Sequence, residues 1–311
     1  MSAVRPGAAG PGPLPASVQV LERGWLSSNN VVLLEGDEAT VVDSGYVKHA
    51  EQTVALVRHC AGTRRVARLL NTHCHSDHIG GNAALARAFG CEVAIPAGEA
   101  DNVARWDEVA LDLGPLGQRG ERFGFDRTLA AGDTWRMGGL DWQALAAPGH
   151  DMDSLVFHAP EARLLISADA LWEDGFGVLF PELAGEPGLA HARATLDMIG
   201  RLDVDTVIPG HGAPFGEPQR ALERAYGRIE AFEREPDKML RNALRVMLSF
   251  HLMDVEQTTR ANLAALLEAA PWAKAMHALY AKPVGAVVDT LLQDLARSGV
   301  ARLDGDLVSF A

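Results

Sequence analysis

The segment Asn71-Thr72-His73-Cys74-His75-Ser76-Asp77-His78-Ile79-Gly80-Gly81 carries three imidazoles and one carboxylate within six residues. Imidazole nitrogens and carboxylate oxygens are good ligands for zinc or iron, so the chemistry on offer is metal binding. In an extended loop His73 and His75 point the same way, as alternate residues do, and Asp77 and His78 at the turn into a helix face a second site. The same alternation turns Cys74 towards the core. The whole chain has 11 histidines, so chance is a poor account of a cluster this dense. Three more residues share the character: His150 in Ala147-Pro148-Gly149-His150, Asp169 in Ile166-Ser167-Ala168-Asp169, and His211 in Ile208-Pro209-Gly210-His211-Gly212. Each alone reads as a turn residue. Together they set ligand types at the ends of several strands, where loops gather around one site.

These residues need a frame. Between about residues 18 and 212, short apolar runs alternate with Gly, Asp and Pro, which predicts strands over 31–34, 40–42, 66–70, 93–95, 140–147, 155–157, 164–166 and 206–208. Helical patterns occupy 50–59, 82–89 and 189–199. This mixture predicts a layered α/β domain with sheets inside and helices outside. The histidine-rich segment then joins a strand to a helix.

After Pro214 the character changes. Pro218 opens a helix with Leu222, Ala225, Tyr226 and Ile229 on one face, and Pro236 interrupts it. A second helix runs through Leu240, Leu244, Met247 and His251. A third lies over 258–270, stopped by Pro271. A fourth has Val284, Val287, Val288, Leu291, Leu292 and Leu295 at helical spacing, with Gly299 just past its end. A hairpin over 300–310 turns at Asp304-Gly305. Helices followed by a short hairpin outline a winged helix. The expected division is a disordered N-terminal tail over 1–16, a catalytic domain over 17–235 and a helical, winged-helix-like domain over 236–311.

Composition narrows the classes. The chain has 311 residues, 48% of them hydrophobic and 22% charged, which is globular and excludes dominant disorder or a fibrous repeat. A net charge of −13 repels phosphate backbones and argues against nucleic acid as a partner. Three cysteines (Cys60, Cys74, Cys91) are too few for a disulfide framework and odd in number, which points to a reducing, cytoplasmic compartment. No apolar run approaches the ~20 residues of a membrane span. The Pro/Gly/Ala-rich start has no apolar core of a secretory signal.

HxHxDH followed by Pro-Gly-His, Ala-Asp-Ala and Pro-Gly-His-Gly, in that order, resembles the metallo-β-lactamase-fold hydrolase superfamily over roughly residues 18–212. The resemblance implies a four-layer αββα sandwich with two divalent metals in a cleft at one edge. Zinc is the expected metal, with iron or manganese as alternatives. His73, His75 and His150 would hold one ion, and Asp77, His78 and His211 the other, with Asp169 bridging them. Asp43, in Val41-Val42-Asp43-Ser44-Gly45, matches the family's strand-end Asp that orients a ligand. Two such cations about 3.5–4 Å apart share a water and lower its pKa towards ~7. Asp77 would be the catalytic residue that orients this nucleophile for attack on an acyl carbonyl.

The departures from individual branches narrow the reaction. His75 stands where flavodiiron oxygen reductases carry a glutamate, and true β-lactamases lack the bridging Asp169. Persulfide dioxygenases use one iron with fewer protein ligands. The run Asp169-Ala170-Leu171-Trp172, with Gly175-Phe176-Gly177-Val178-Leu179-Phe180, is similar to the bridging segment of hydroxyacylglutathione hydrolases (glyoxalase II). Their basic residue after Gly-x-Gly is Val178 here, and Gly212-Ala213-Pro214 replaces their tyrosine after the last histidine, which counts against glutathione thioesters. Acyl-homoserine lactonases have a tyrosine at the position of Trp172, which lowers a lactone without excluding it. Trp172, Phe176, Leu179 and Phe180 suggest an apolar wall for an acyl chain or aromatic group, though packing of the loop explains them equally well. A small-molecule thioester is preferred, because its thiolate, with pKa ~8.5, leaves with little acid help.

A winged-helix-like tail also resembles the single-stranded-RNA endonuclease branch. From Asp237 onward, however, eight basic residues meet eight acidic ones, and the hairpin tip is Asp304-Gly305-Asp306. A nucleic-acid reader would show a basic footprint there. The tail is expected to be a structural or substrate-lid module, with Arg241 and Arg245 as candidate anion anchors. The alternatives to a thioesterase are a lactonase, a phosphodiesterase or RNA endonuclease, a one-iron persulfide dioxygenase, or a regulatory metal-binding protein. The sequence permits a homodimer.

Overall fold

Strand-forming residues build two sheets that face one another. In the computed structural model, which describes residues 12–311, the first sheet holds β1 (Val18–Leu21), β2 (Asn30–Glu35), β3 (Glu38–Val42), β4 (Arg65–Leu70), β5 (Glu92–Pro96) and β6 (Arg127–Leu129) in that spatial order. β1–β3 pair antiparallel and β3–β6 parallel. The second sheet runs β11 (Thr206–Pro209), β10 (Leu164–Ala168), β9 (Leu155–Ala159), β8 (Leu140–Ala146), β7 (Thr134–Met137), with only β10 and β11 parallel. Residues 1–11, most of the expected tail, lie outside the described residues. Pro15 O accepts from Val18 N at 2.8 Å, and Leu14 packs against the inter-sheet core.

Val31, Leu33, Val42 and Leu70 of the first sheet meet Trp142, Phe157, Ile166 and Ile208 of the second in that shared core. The outer face of the first sheet is covered by α1 (Ala50–Ala61), the short α2 (Ser76–Ile79), α3 (Asn82–Phe89) and α4 (Ala100–Arg105). α3 ends at Gly90, whose left-handed conformation (φ 61°) costs a residue without a Cβ little. After α5 (Phe180–Ala184), α6 (Gly188–Ile199) and α7 (Pro218–Arg234) cover the second sheet through Leu196, Ile199, Leu222, Ala225 and Ile229. The result is the four-layer αββα sandwich. Covered on both faces, β9 and β10 are buried at every position, and β8, with one open face, alternates.

The C-terminal module comprises α8 (Pro236–Val255), β12 (Gln257–Thr259), α9 (Arg260–Ala269), α10 (Ala273–Tyr280), α11 (Val284–Arg297) and the hairpin β13 (Ala301–Asp304) and β14 (Leu307–Phe310). Leu244, Met247, Leu263, Met276, Leu291 and Leu292 share one core with Leu116 of the sandwich. A second contact fixes α8 to the sandwich. Tyr46 stands edge-on to Phe250 at 5.8 Å, and its hydroxyl donates to Asp254 Oδ2 at 3.0 Å.

The helix expected over 258–270 differs in detail. Thr258 is taken by β12, which pairs with β14 and joins the hairpin into a three-stranded sheet. α9 then starts behind Thr259, whose Oγ1 accepts from Asn262 N at 3.2 Å as an N-cap. α10, between Pro271 and Pro283, was not expected from the sequence, because two turns burying little more than Met276 leave a weak periodic signal. β6 and β7 likewise lie outside the expected strands, because three or four residues at a sheet edge leave little periodic signal.

Candidate metal centre

The loop that follows β4 is shaped by one buried carboxylate. Asp43 sits at the end of β3 with φ 59°, a conformation that Asp tolerates better than most residues. Its Oδ1 accepts from Thr72 N at 2.9 Å, and its Oδ2 takes Thr72 Oγ1 and His78 Nδ1, both at 2.8 Å. His78 therefore donates from Nδ1 and turns Nε2 inward, towards the other donors. Asn71 Nδ2 donates to His78 O at 3.0 Å, which pins the turn from loop to α2. Cys74 faces away into the core beneath α1 and α3, where burial pushes its thiol well up and keeps it protonated.

Two groups of donors result. His73, His75 and His150 offer ligand atoms that all lie within 4.8 Å of one another, and so do Asp77, His78, Asp169 and His211. All seven residues are buried. Asp169 stands between the groups: Oδ1 is 3.5 Å from His78 Nε2, and Oδ2 is 3.4 Å from His150 Nε2 and 3.7 Å from His211 Nε2. His150 Nδ1 donates to Val178 O at 2.5 Å, which leaves Nε2 as a lone pair 2.7 Å from His75 Nδ1. Asp77 Oδ2 lies 2.9 Å from His211 Nε2. Close approach is built in, because a Cβ on Gly210 would fall 2.1 Å from Asp169 Oδ1 and one on Gly177 2.5 Å from His150 Nδ1.

Burial drives the His73 imidazole well below its ordinary pKa, helped by the charge of His78. Burial also opposes charge on His78, but Asp43, Asp77 and Asp169 outweigh it and push that group well up. Desolvation likewise works against an ionised Asp169, yet His211, His78 and His150 hold it well below the usual carboxylate range. The site is thus a buried field of ionised carboxylates and converging imidazoles. His73 Nε2 and His78 Nε2 are buried with no hydrogen-bond partner among the described residues. Orphaned nitrogens of this kind are rare in folded proteins unless they bind something. This nitrogen-and-oxygen donor set fits divalent metal ions.

A cavity of about 230 Å³ opens over the two groups. Trp172, Phe176 and Phe180 line it, whereas Leu179 is buried in the core beneath α6 and α7. α8 supplies Asn242, Val246 and Phe250 at a spacing of four, one stripe of the helix. Arg241 and Arg245 are each rotated one residue off that stripe, so neither lines the cavity. Arg241 is exposed, and Arg245 lines a neighbouring apolar groove. Trp25 and Arg228 also belong to the wall and were missed by sequence reasoning. Trp25 stacks on His211 with ring centroids 4.6 Å apart, a partnership no local pattern announces. Arg228 did leave a signal, because it interrupts the buried face of α7 between Ala225 and Phe232.

A family model described as the Metallo-beta-lactamase superfamily matches residues 23–211, a span that contains all seven donors. The chain belongs to this superfamily. Among solved structures, a metallo-beta-lactamase family protein from Thermus thermophilus superposes with a TM-score of 0.57 at 18% identity, covering 94% of this chain and 98% of that one. This superfamily likeness is one of fold. Among curated relatives, the hydroxyacylglutathione hydrolase of Hyphomonas neptunium is 32% identical over 115 residues, 37% of this chain and 38% of that protein. That of Rhizobium etli is 33% identical over 129 residues, 40% of this chain and 43% of its own length. The match thus spans less than half the length of these relatives. Among the described residues no helix is long and apolar enough to cross a membrane.

Proposed function

We propose that the chain is a binuclear metal-dependent hydrolase that cleaves small acyl thioesters. The observation that carries this reading is Asp169, whose two oxygens reach donors of both groups, His78 on one side and His150 on the other. His73, His75 and His150 would hold one divalent ion, Asp77, His78 and His211 the other, and Asp169 would touch both. When bound, such ions lower the pKa of water towards ~7 and take up negative charge on a carbonyl oxygen, most commonly as zinc in sites of this ligand type.

The chain's own residues do the rest. Asp43, through His78 Nδ1, fixes which nitrogen faces the site. Asp77 accepts the hydrogen bond that orients the attacking water. Trp172, Phe176 and Phe180 exclude bulk solvent and receive the apolar part of the acyl group. Attack forms the new C–O bond and puts negative charge on the carbonyl oxygen, and collapse of that adduct breaks the C–S bond. A thiolate with pKa ~8.5 departs without a dedicated acid, and the protons of the attacking water pass to solvent as the product acid ionises. The curated relatives' names favour a thioester. Val178 and Gly212-Ala213-Pro214 favour a thiol other than glutathione, since the cavity offers neither a basic side chain at the first position nor a phenol at the second. The tail's cations favour a small molecule over nucleic acid, because Arg260 pairs with Asp289 and Arg297 with Asp294 inside the module. The free cysteines of the sandwich, Cys60, Cys74 and Cys91, fit the reducing cytoplasm.

The test is metal content per chain by plasma mass spectrometry on protein purified without chelator, followed by rates on a panel of thioesters and lactones. Two equivalents of zinc or a mixed pair, with thioester turnover abolished by a chelator and restored by zinc, is the expected result. One iron and no hydrolysis would overturn it, and so would protein that refuses metal.

A further inference from the structure

Arg228 is the single Arg or Lys on the wall of the metal cavity among the described residues. It rises from α7 with its guanidinium packed between two rings, 5.0 Å from the centroid of Phe176 and 5.3 Å from that of Phe232. One donor is used: Nη1 gives a hydrogen bond to Phe176 O at 3.1 Å. No carboxylate lies within ion-pairing distance of it among the described residues, whereas Arg224, one turn earlier, meets Asp174 at 3.3 Å and donates to Glu173 O. The loop has been cleared to receive it, because a Cβ on Gly175 would fall 2.9 Å from Arg228 Nη1. A guanidinium has five N–H donors in a rigid fork. To hold one half-buried between aromatic rings with a single acceptor and no counter-charge is unfavourable for the empty protein. An anion from outside removes that penalty and fits the fork in a bidentate manner.

We propose that Arg228 anchors a carboxylate carried by the acyl half of the substrate, so that this enzyme prefers monothioesters of short dicarboxylic acids. This rests on the thioester reading above for the bond cleaved, but the anion site stands on its own geometry. The acyl half is chosen because Phe176, which touches Arg228, belongs to the Trp172–Phe180 loop that walls the cavity beside His150. At about 230 Å³ the cavity holds roughly eight water-sized groups at ~30 Å³ each, enough for a short linker between carbonyl and carboxylate. Asp77, Asp112 and Asp169 also face the cavity, so a carboxylate is drawn to Arg228 against their field and only where the guanidinium is reached directly.

The metal-loaded enzyme and its Arg228→Met and Arg228→Lys variants are compared on succinyl and glutaryl thioesters and on the neutral butyryl and pentanoyl thioesters of the same thiol. The expected wild-type preference for the carboxylate-bearing series is about tenfold or more in kcat/KM, carried by KM. In Arg228→Met the loss on that series exceeds the loss on the neutral series by the same factor, and Arg228→Lys keeps part of it. A second readout needs no turnover: quenching of tryptophan fluorescence by glutarate against butyrate, which Trp172 and Trp25 on the cavity wall report. Glutarate is expected to bind the wild type about tenfold more tightly, and that ratio collapses in Arg228→Met. Equal losses on both series, a glutarate-to-butyrate ratio indifferent to residue 228, or an Arg228-dependent preference for a carboxylate on the thiol half would overturn the proposal. Arg228-dependent glutarate binding in a protein that hydrolyses no thioester would sink the thioester reading and leave the anion site standing. Should Arg228→Met fail to fold, Arg228→Lys and the glutarate ratio of the wild type carry the test.

Discussion

The indole Nε1 of Trp172 donates to Asp169 Oδ1 at 3.2 Å, and the same ring stands edge-on to His211 at 5.3 Å. A residue three positions beyond the carboxylate between the two donor groups therefore orients that carboxylate. Trp172→Phe keeps an aromatic ring in the wall and removes the donor. Outer hydrogen bonds of this kind change metal affinity by about 10–100-fold when lost. The expected result is about tenfold weaker metal retention in competition with a chelator, with the metal-free protein melting as before. Unchanged affinity would show that Asp169 needs no such partner.

Asp43 acts one layer further out, on His78. Asp43→Asn can no longer accept from both Thr72 and His78 Nδ1 as a charged group, so the tautomer that directs His78 Nε2 inward is no longer enforced. Metal affinity should fall about 10–100-fold at the site holding His78. Stoichiometry titrated by calorimetry checks it: one tight and one weak equivalent is the expected pattern, and two equal ones would contradict it.

Gly210 tests how closely the strand ends approach. The methyl of Gly210→Ala would sit 2.1 Å from Asp169 Oδ1 and 3.1 Å from both the Ala168 carbonyl carbon and His78 Cε1. Asp169 is pinned by Trp172, so it cannot step aside without leaving the donor set. Metal affinity is expected to drop at least about tenfold with the far-ultraviolet circular dichroism preserved. Wild-type metal content in this variant would mean that the carboxylate relocates freely.

The joint between sandwich and C-terminal module should be sensitive to acid. Burial works against an ionised Asp254, but Arg119 Nε at 2.7 Å and the Tyr46 hydroxyl at 3.0 Å hold the carboxyl below its ordinary value. Depressed in the fold, it stabilises the protein above its unfolded pKa of ~3.9, and that contribution fades as the pH drops through the lower folded value. Asp254→Asn, which weakens hydrogen bonds to a charged group, should cost about 1.5–3 kcal/mol near neutral pH. Denaturant melts at a series of pH values check this. The gap between wild type and variant should narrow below about pH 4, and a gap that widens there would reverse the sign.

Much of the site was legible in the chain because its residues are local or sit at strand ends. His73, His75, Asp77 and His78 fall within six residues, and His150, Asp169 and His211 each follow a strand whose residue pattern is legible in the chain. The pocket was less legible. Leu179 and Phe180 are neighbours of the same type, yet one enters the core and the other the cavity, and only the packing of α5 against its surroundings separates them. Arg241 and Arg245 share a helix with Asn242, Val246 and Phe250 but sit off the stripe that α8 turns to the metals. The rotation of α8 is set by Tyr46, Phe250 and Asp254 across the domain joint.

The amino-acid order by itself determined the donor types, their spacing and the alternation of strand and helix, because each of these rests on side-chain chemistry and on backbone periods of a few residues. Tertiary structure alone decided that Asp169 reaches both donor groups, that Trp25 stacks on His211, and that Arg228 meets the loop at Gly175 without a carboxylate. Those relations join residues tens to nearly two hundred positions apart. Their geometry follows from how two sheets and the C-terminal helices pack, which no local pattern encodes.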